Sequence, residues 1–209
     1  NGHSPLAPLY HYWRTGDVRF LRCAERSAQY VWDVQLSKSE TEQGRMFHTR
    51  RHLFDELDWI HPRYQRATGI LVSSHVMLNP IMRREAVATI RSFHEHMFDD
   101  QGIPHAWDKT RHLRGELAGV DTSNFMEALS YCYRESGDRQ FLDWGLAMSK
   151  WTAIRFKERG RVKNDDWNWN LSNYVLRGLV PLYETTGDAG VRELAVRVAR
   201  ATLANMSPN

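Results

Sequence analysis

The sequence has two cysteines in 209 residues, no long hydrophobic run and no dense block of lysine and arginine. Each absence excludes something. Two cysteines cannot build the disulfide framework of a small secreted domain, and Cys23 and Cys132 both fall in helical patterns that suit small buried residues rather than a bridge. They leave the compartment open. No apolar stretch approaches the roughly 20 residues a membrane-spanning helix needs. The richest basic stretch, Arg50, Arg51, Arg63 and Arg66, is interrupted by acids and makes no stripe for nucleic acid. The net charge of +3 is a mild bias that also suits an acidic polysaccharide. The chain opens at Asn1 with no methionine and no charged-then-apolar leader, which reads as a processed product or a fragment. Secreted, periplasmic and cytoplasmic locations all stay open.

What is present is ordinary for a folded domain: 42% apolar and 25% charged residues, enough to exclude disorder. The oddity is eight tryptophans.

A repeat is hidden in the turns. Leu9–Asp17, Ser130–Asp138 and Val180–Asp188 align without gaps on a Gly-Asp pair. In that register Tyr12, Tyr133 and Tyr183 coincide, as do Phe20, Phe141 and Val191. Small residues follow four apart, first Ala24, Gly145 and Ala195, then Ala28, Ser149 and Ala199, as where two helices approach closely. Gly16, Gly137 and Gly187 can take the left-handed conformation that ends a helix. Asp17, Asp138 and Asp188 can cap the next one. A fourth unit, residues 69–98, turns at Asn79-Pro80, with Asn as cap and Pro at the first helical position. The expected fold is therefore all-α: about four stacked helical hairpins in a single domain over residues 1–209.

Within a hairpin the turns are minimal, whereas the connections between hairpins, residues 37–64, 99–122 and 157–171, are long. Long loops on one face of a rigid scaffold are where sites are built. At or in these connections fall His3, His48, His52, His61, His105 and His112, with Trp59, Trp107, Trp167 and Trp169, beside polar clusters at 103–108, 119–124 and 164–173. An aromatic face beside amides and carboxylates is what a sugar ring requires: its C–H face stacks while its hydroxyls are hydrogen-bonded.

Hairpins of the form aromatic-rich helix, Thr-Gly-Asp, alanine-rich helix resemble those of the (α/α) toroids of glycoside hydrolases and polysaccharide lyases. The opening Asn1-Gly-His-Ser4 before residues 6–14 resembles the start of an inner helix in rhamnogalacturonan-lyase-like proteins. The resemblance implies that helices before the Gly-Asp turns are inner, and that His3, residues 61–66, 121–124 and 165–173 line a cleft. Four hairpins make an incomplete ring, so the remaining hairpins of a parent chain are expected partners.

Candidate residues follow from chemistry. β-Elimination beside a uronate needs a base and a group that neutralises the carboxylate: His61 or Tyr64, with Arg63 or Arg66. Hydrolysis needs two carboxyl groups across the bond, for which Asp108, Asp121, Asp165 and Asp166 are available. His105 is a further acid–base candidate. Trp107, Asn124, Trp167, Asn168, Trp169, Asn170 and Asn173, with His3, are candidate substrate contacts. Asp121, Ser123 and Asn124 also read as helix caps, and Asp165–Asn170 as a cap followed by core-covering aromatics. His48 and His52 share a helix face, but no third ligand follows at diagnostic spacing, so no metal and no other cofactor is expected. The sequence favours cleavage of a uronic-acid-containing polysaccharide or oligosaccharide, by β-elimination ahead of hydrolysis because His, Tyr, Arg and Asn outnumber acids on the loop face. A non-catalytic helical-repeat module that binds a glycan or a protein is the reading from another class.

Overall fold

The computed structural model describes residues 6–30, 59–60, 68, 71–72, 74, 78–98, 105–108, 113–116, 119–159 and 172–205. They fall in two compact units, residues 1–98 with 105–115, and residues 99–104 with 116–209.

The first unit holds α1 (Leu6–Thr15), α2 (Val18–Tyr30), β1 (Trp59–Ile60), α3 (Pro80–Met97), β2 (His105–Asp108) and β3 (Leu113–Glu116). The second holds α4 (Gly119–Ser136), α5 (Gln140–Arg159), α6 (Ser172–Thr186) and α7 (Ala189–Asn205). The helical hairpins are those the turn repeat predicts. The long connections add a small three-stranded sheet in the order β1-β2-β3, with β1 antiparallel to β2 and Trp59 opposite Asp108.

All three Gly-Asp turns are built alike. Gly16, Gly137 and Gly187 have φ of 69°, 70° and 66°. Their N–H groups donate to the carbonyls of Tyr12, Tyr133 and Tyr183 at 2.7, 2.8 and 2.8 Å, closing the last helical turn. Asp17 and Asp138 then accept from the N–H two residues on, and Asp188 from that of Val191 at 2.9 Å. The hydroxyl before each glycine completes the device. Thr15, Ser136 and Thr186 donate to the carbonyl four residues back and accept the aspartate N–H at 3.2 Å. One short side chain thus satisfies a carbonyl and an amide that the ends of two helices leave open.

The fourth turn uses different parts. Asn79 caps α3 by accepting from Met82 N–H at 3.1 Å, and Pro80 opens the helix, as expected. Leu78, at φ 51° and fully exposed, stands where a glycine serves elsewhere.

In the second unit α4 is central. Residues 122–130 are all buried, so this stretch is enclosed on every side and carries Phe125, Met126, Ala128 and Leu129 into the core. Helices α5 and α6 turn apolar stripes toward it, Phe141 and Met148, then Val175, Leu179 and Leu182, and α7 packs against α6 through Val191, Leu194 and Val198. Burying each such side chain contributes roughly 1.5–3 kcal/mol. The small-residue register does what its spacing promised at Gly145, where an added Cβ would lie 2.8 Å from Leu182 Cδ1. In the first unit Ala24 and Ala28 are likewise buried, and His11 stacks on Phe20 across the turn at 5.1 Å.

One expectation is corrected: Cys132 is buried, but Cys23 is exposed, and neither forms a disulfide. The recurring Tyr12 and Tyr133 are half-buried and Tyr183 is exposed, so their recurrence marks the turn more than the core.

Two glycine substitutions separate backbone conformation from packing. Nothing lies within 4 Å of a Cβ at Gly137, so Gly137→Ala meets only the left-handed backbone and lowers stability by about 1–2 kcal/mol. A Cβ at Gly178 would sit 2.3 Å from the Ser123 carbonyl oxygen, so Gly178→Ala forces α4 and α6 apart and costs about 3 kcal/mol or more. Urea denaturation of the two variants checks the order.

Candidate functional site

Helices α4 and α6 run parallel, because their contacts advance together along both: Ser123 meets Gly178, Glu127 meets Arg177, and Arg134 meets Pro181, Glu184 and Thr185. The Gly-Asp turns at 137 and 187 therefore lie at one end of this pair, and the N-terminal turns of α4 and α6 at the other. Ser123 Oγ accepts the main-chain N–H of Gly178 at 3.0 Å, both buried. The close approach works because Gly178 has no side chain.

Glu127 and Arg177 follow from that approach. Glu127 is buried, and its Oε2 lies 2.9 Å from Arg177 Nε. The guanidinium arrives off the hydrogen-bonding direction, so the charge is paired while Oε2 accepts no hydrogen bond. Burial pushes the Glu127 carboxyl above the ordinary glutamate value, and the charge of Arg177 opposes the shift. Arg177 keeps 27% of its side chain exposed, against 4% for Glu127, so the pair reaches solvent through the guanidinium. One turn before Glu127, Asn124 is 2% exposed and its Oδ1 has no hydrogen-bond partner.

Among the residues singled out from sequence, Asp121 and Asn124 lie in the first turns of α4, and Asn173 in the first turn of α6. Helix α4 begins at Gly119, so Asp121, Ser123 and Asn124 stand inside it rather than ahead of it, and Ser123 bonds across to α6 instead of capping. His105, Trp107 and Asp108 share β2. His3, His61, Arg63, Tyr64, Arg66, Asp165, Asp166, Trp167, Asn168, Trp169 and Asn170 lie outside the described residues, as do His48 and His52. Among the described residues no group of three His, Cys, Asp or Glu side chains is placed to hold a metal ion, and no helix is long and apolar enough to cross a membrane. His94 stacks on Phe98 at 4.4 Å, and burial pushes its pKa down to about 4, a neutral packed ring rather than an acid–base group.

Glu127 and Arg177 were not singled out from the sequence, although a signal exists. Each stands ten residues before its glycine, at 137 and 187, so they share one register position with opposite charges. Arg134 and Glu184, each three before the glycine, repeat the pattern and pair at 3.4 Å.

No protein-family model matches the sequence, and no curated protein is detectably similar to it. Solved structures do match. The chain is 13% identical to the Lin0763 protein from Listeria innocua, with a TM-score of 0.74 over 98% of this chain and 60% of that one. It is 12% identical to cellobiose 2-epimerase from Bacillus thermoamylovorans, with a TM-score of 0.73 over 100% and 60% of the two chains. Against unsaturated glucuronyl hydrolase from Bacillus sp. GL1 the identity is 11% and the TM-score 0.72, over 96% and 59%. The fold is that of the (α/α) toroids. The chain spans about 60% of the length of these toroid structures. The helices before the Gly-Asp turns, α4 and α6 among them, bear the candidate site.

The ion pair makes a pH-dependent prediction. Glu127 holds its proton more tightly folded than unfolded, so its contribution to stability falls as pH rises from the ordinary glutamate value of 4.5 through its raised folded value. Arg177→Met removes the compensating charge and enlarges that loss. The variant is expected to lose about 3 kcal/mol at neutral pH, and much less near pH 4, where Glu127 is protonated in both states. Urea unfolding of both proteins at the two pH values measures the difference.

Proposed function

We propose that this chain is part of an (α/α)-toroid enzyme that cleaves a uronic-acid-containing polysaccharide or oligosaccharide. The observation that carries the reading is the polar set on the helices before the Gly-Asp turns, buried Asn124 and Glu127 with the partly exposed Arg177, in a fold shared with enzymes of sugars. An enclosed helix has no structural need for an unpartnered amide oxygen, whereas a site does. Support also comes from the similar structures: one is a hydrolase responsible for the degradation of glycosaminoglycan, another an epimerase of cellobiose.

Hydrolysis is the mode we favour. It needs a pair of carboxyl groups, one protonated and one ionised, flanking the glycosidic oxygen. In the second unit the carboxyl candidates are Asp121, in the first turn of α4, with Asp165 and Asp166; Asp108, on β2, is a candidate in the first unit. His105 is a candidate proton carrier on the same strand as Asp108. Trp107, Trp167 and Trp169 are assigned to stacking on sugar rings, and Asn168, Asn170, Asn173 and His3 to their hydroxyls. Arg63 and Arg66 are assigned to the uronate carboxylate. The β-elimination reading rests on His61 and Tyr64 beside those arginines, and the same assay tests it.

The protein in its full natural length is incubated with a panel of acidic and neutral polysaccharides. Reducing ends and the ultraviolet absorbance of unsaturated uronyl ends are followed together. Hydrolysis predicts new reducing ends with no rise in absorbance. A rise in both establishes β-elimination and moves the chemistry to His61 and Tyr64. Neither signal contradicts the enzymatic reading and leaves a binding module.

A further inference from the structure

Two buried acceptors lie one helical turn apart on α4: Asn124 Oδ1, without a partner, and Glu127 Oε2, ion-paired but accepting no hydrogen bond. Residues at this spacing are neighbours on a helix surface. Arg177, a donor, stands against Glu127 and is the partly exposed member of the group. A buried acceptor left unsatisfied costs about 1–3 kcal/mol, so the arrangement favours anything that brings donors. This excludes one class of ligand. A carboxylate has no hydrogen to donate, and a carboxylate or phosphate would face the charge of Glu127. A hydroxyl gives a proton and also accepts one, which suits two acceptors beside a guanidinium.

We infer that Asn124, Glu127 and Arg177 form a subsite for the hydroxyl groups of a neutral sugar ring. Asn124 Oδ1 and Glu127 Oε2 accept hydrogen bonds from hydroxyl groups, and Arg177 donates to a ring or hydroxyl oxygen. The inference rests on the proposed glycan activity and sharpens it. The uronate carboxylate is recognised elsewhere on the chain, and this position takes an uncharged residue of the glycan. Glu127 and Arg177 are thereby specificity residues, with Glu127 also positioning the guanidinium.

The test titrates the protein with glucose, galactose and mannose, and with glucuronate, by calorimetry at neutral pH. At least one neutral hexose is expected to bind, with glucuronate about tenfold weaker or more. Asn124→Leu, matched in size and lacking the acceptor, weakens that hexose about tenfold while the circular dichroism spectrum is unchanged. Glu127→Gln does the same. Monodeoxy forms of the bound hexose test the unaltered protein, so misfolding of a variant does not remove the test: at least one loses about tenfold in affinity. Hexose binding indifferent to both variants and to every deoxy form overturns the subsite and leaves the glycan reading standing. Preferential binding of glucuronate also overturns it. If no hexose binds, the subsite fails, and the polysaccharide assay alone decides the glycan reading.

Discussion

In the second unit the geometry of the site depends on a contact between two backbones. Ser123 of α4 lies against Gly178 of α6 so closely that no side chain fits at 178, and the serine hydroxyl takes the Gly178 N–H across the gap. A contact of this kind fixes how far one helix is advanced along the other, because a shift of one residue would drive a Cβ into a carbonyl oxygen. Once the advance is set, opposite charges at matching register positions meet. Glu127 reaches Arg177 and, two turns on, Arg134 reaches Glu184. In the first pair Glu127 is buried and only the guanidinium reaches solvent, whereas both members of the second are exposed, so the pairs do different work. An exposed pair such as Arg134–Glu184 adds ~0–1 kcal/mol. The pair at Glu127 commits a charge to the interior and constrains what the neighbouring atoms can bind.

Much of the fold was legible because turns are local. Gly-Asp with a preceding Thr or Ser specifies a helix end, a reversal and a helix start within three residues, and all three copies close the helix by the same glycine-to-tyrosine bond. Asn79-Pro80 was legible for the same reason. The hydroxyl's part in the turn was not, since Thr and Ser are common in turns for several reasons. The sheet of β1, β2 and β3 was missed: strands of two and four residues are too short for alternation to stand out from a loop.

The site was legible only in part. Asn124 was singled out for its chemistry and its place near a helix start, and the structure adds that its amide oxygen is buried without a partner. Glu127 and Arg177 were passed over because each is a lone charge in an apolar helical run, a pattern that ordinarily marks an exposed edge. Only the packing of α4 beside α6 turns two such charges into one feature. The loop residues that suggest a sugar site, His61 and Asp165 among them, lie outside the described residues, and periodicity does not encode how segments distant in sequence meet. The polar residues within α4 violate the rule that an enclosed helix be apolar, and such violations concentrate at functional sites.

The most direct test of this account is a double-mutant cycle on Glu127→Gln and Arg177→Met, measured by urea unfolding with Gly178 intact and again in Gly178→Ala. With glycine the coupling is expected to be about 1–3 kcal/mol, as for residues in one buried pair. In Gly178→Ala it should fall toward zero, because the helices can no longer hold their register. Undiminished coupling in the alanine background would show that the Ser123–Gly178 contact does not set the geometry of the site.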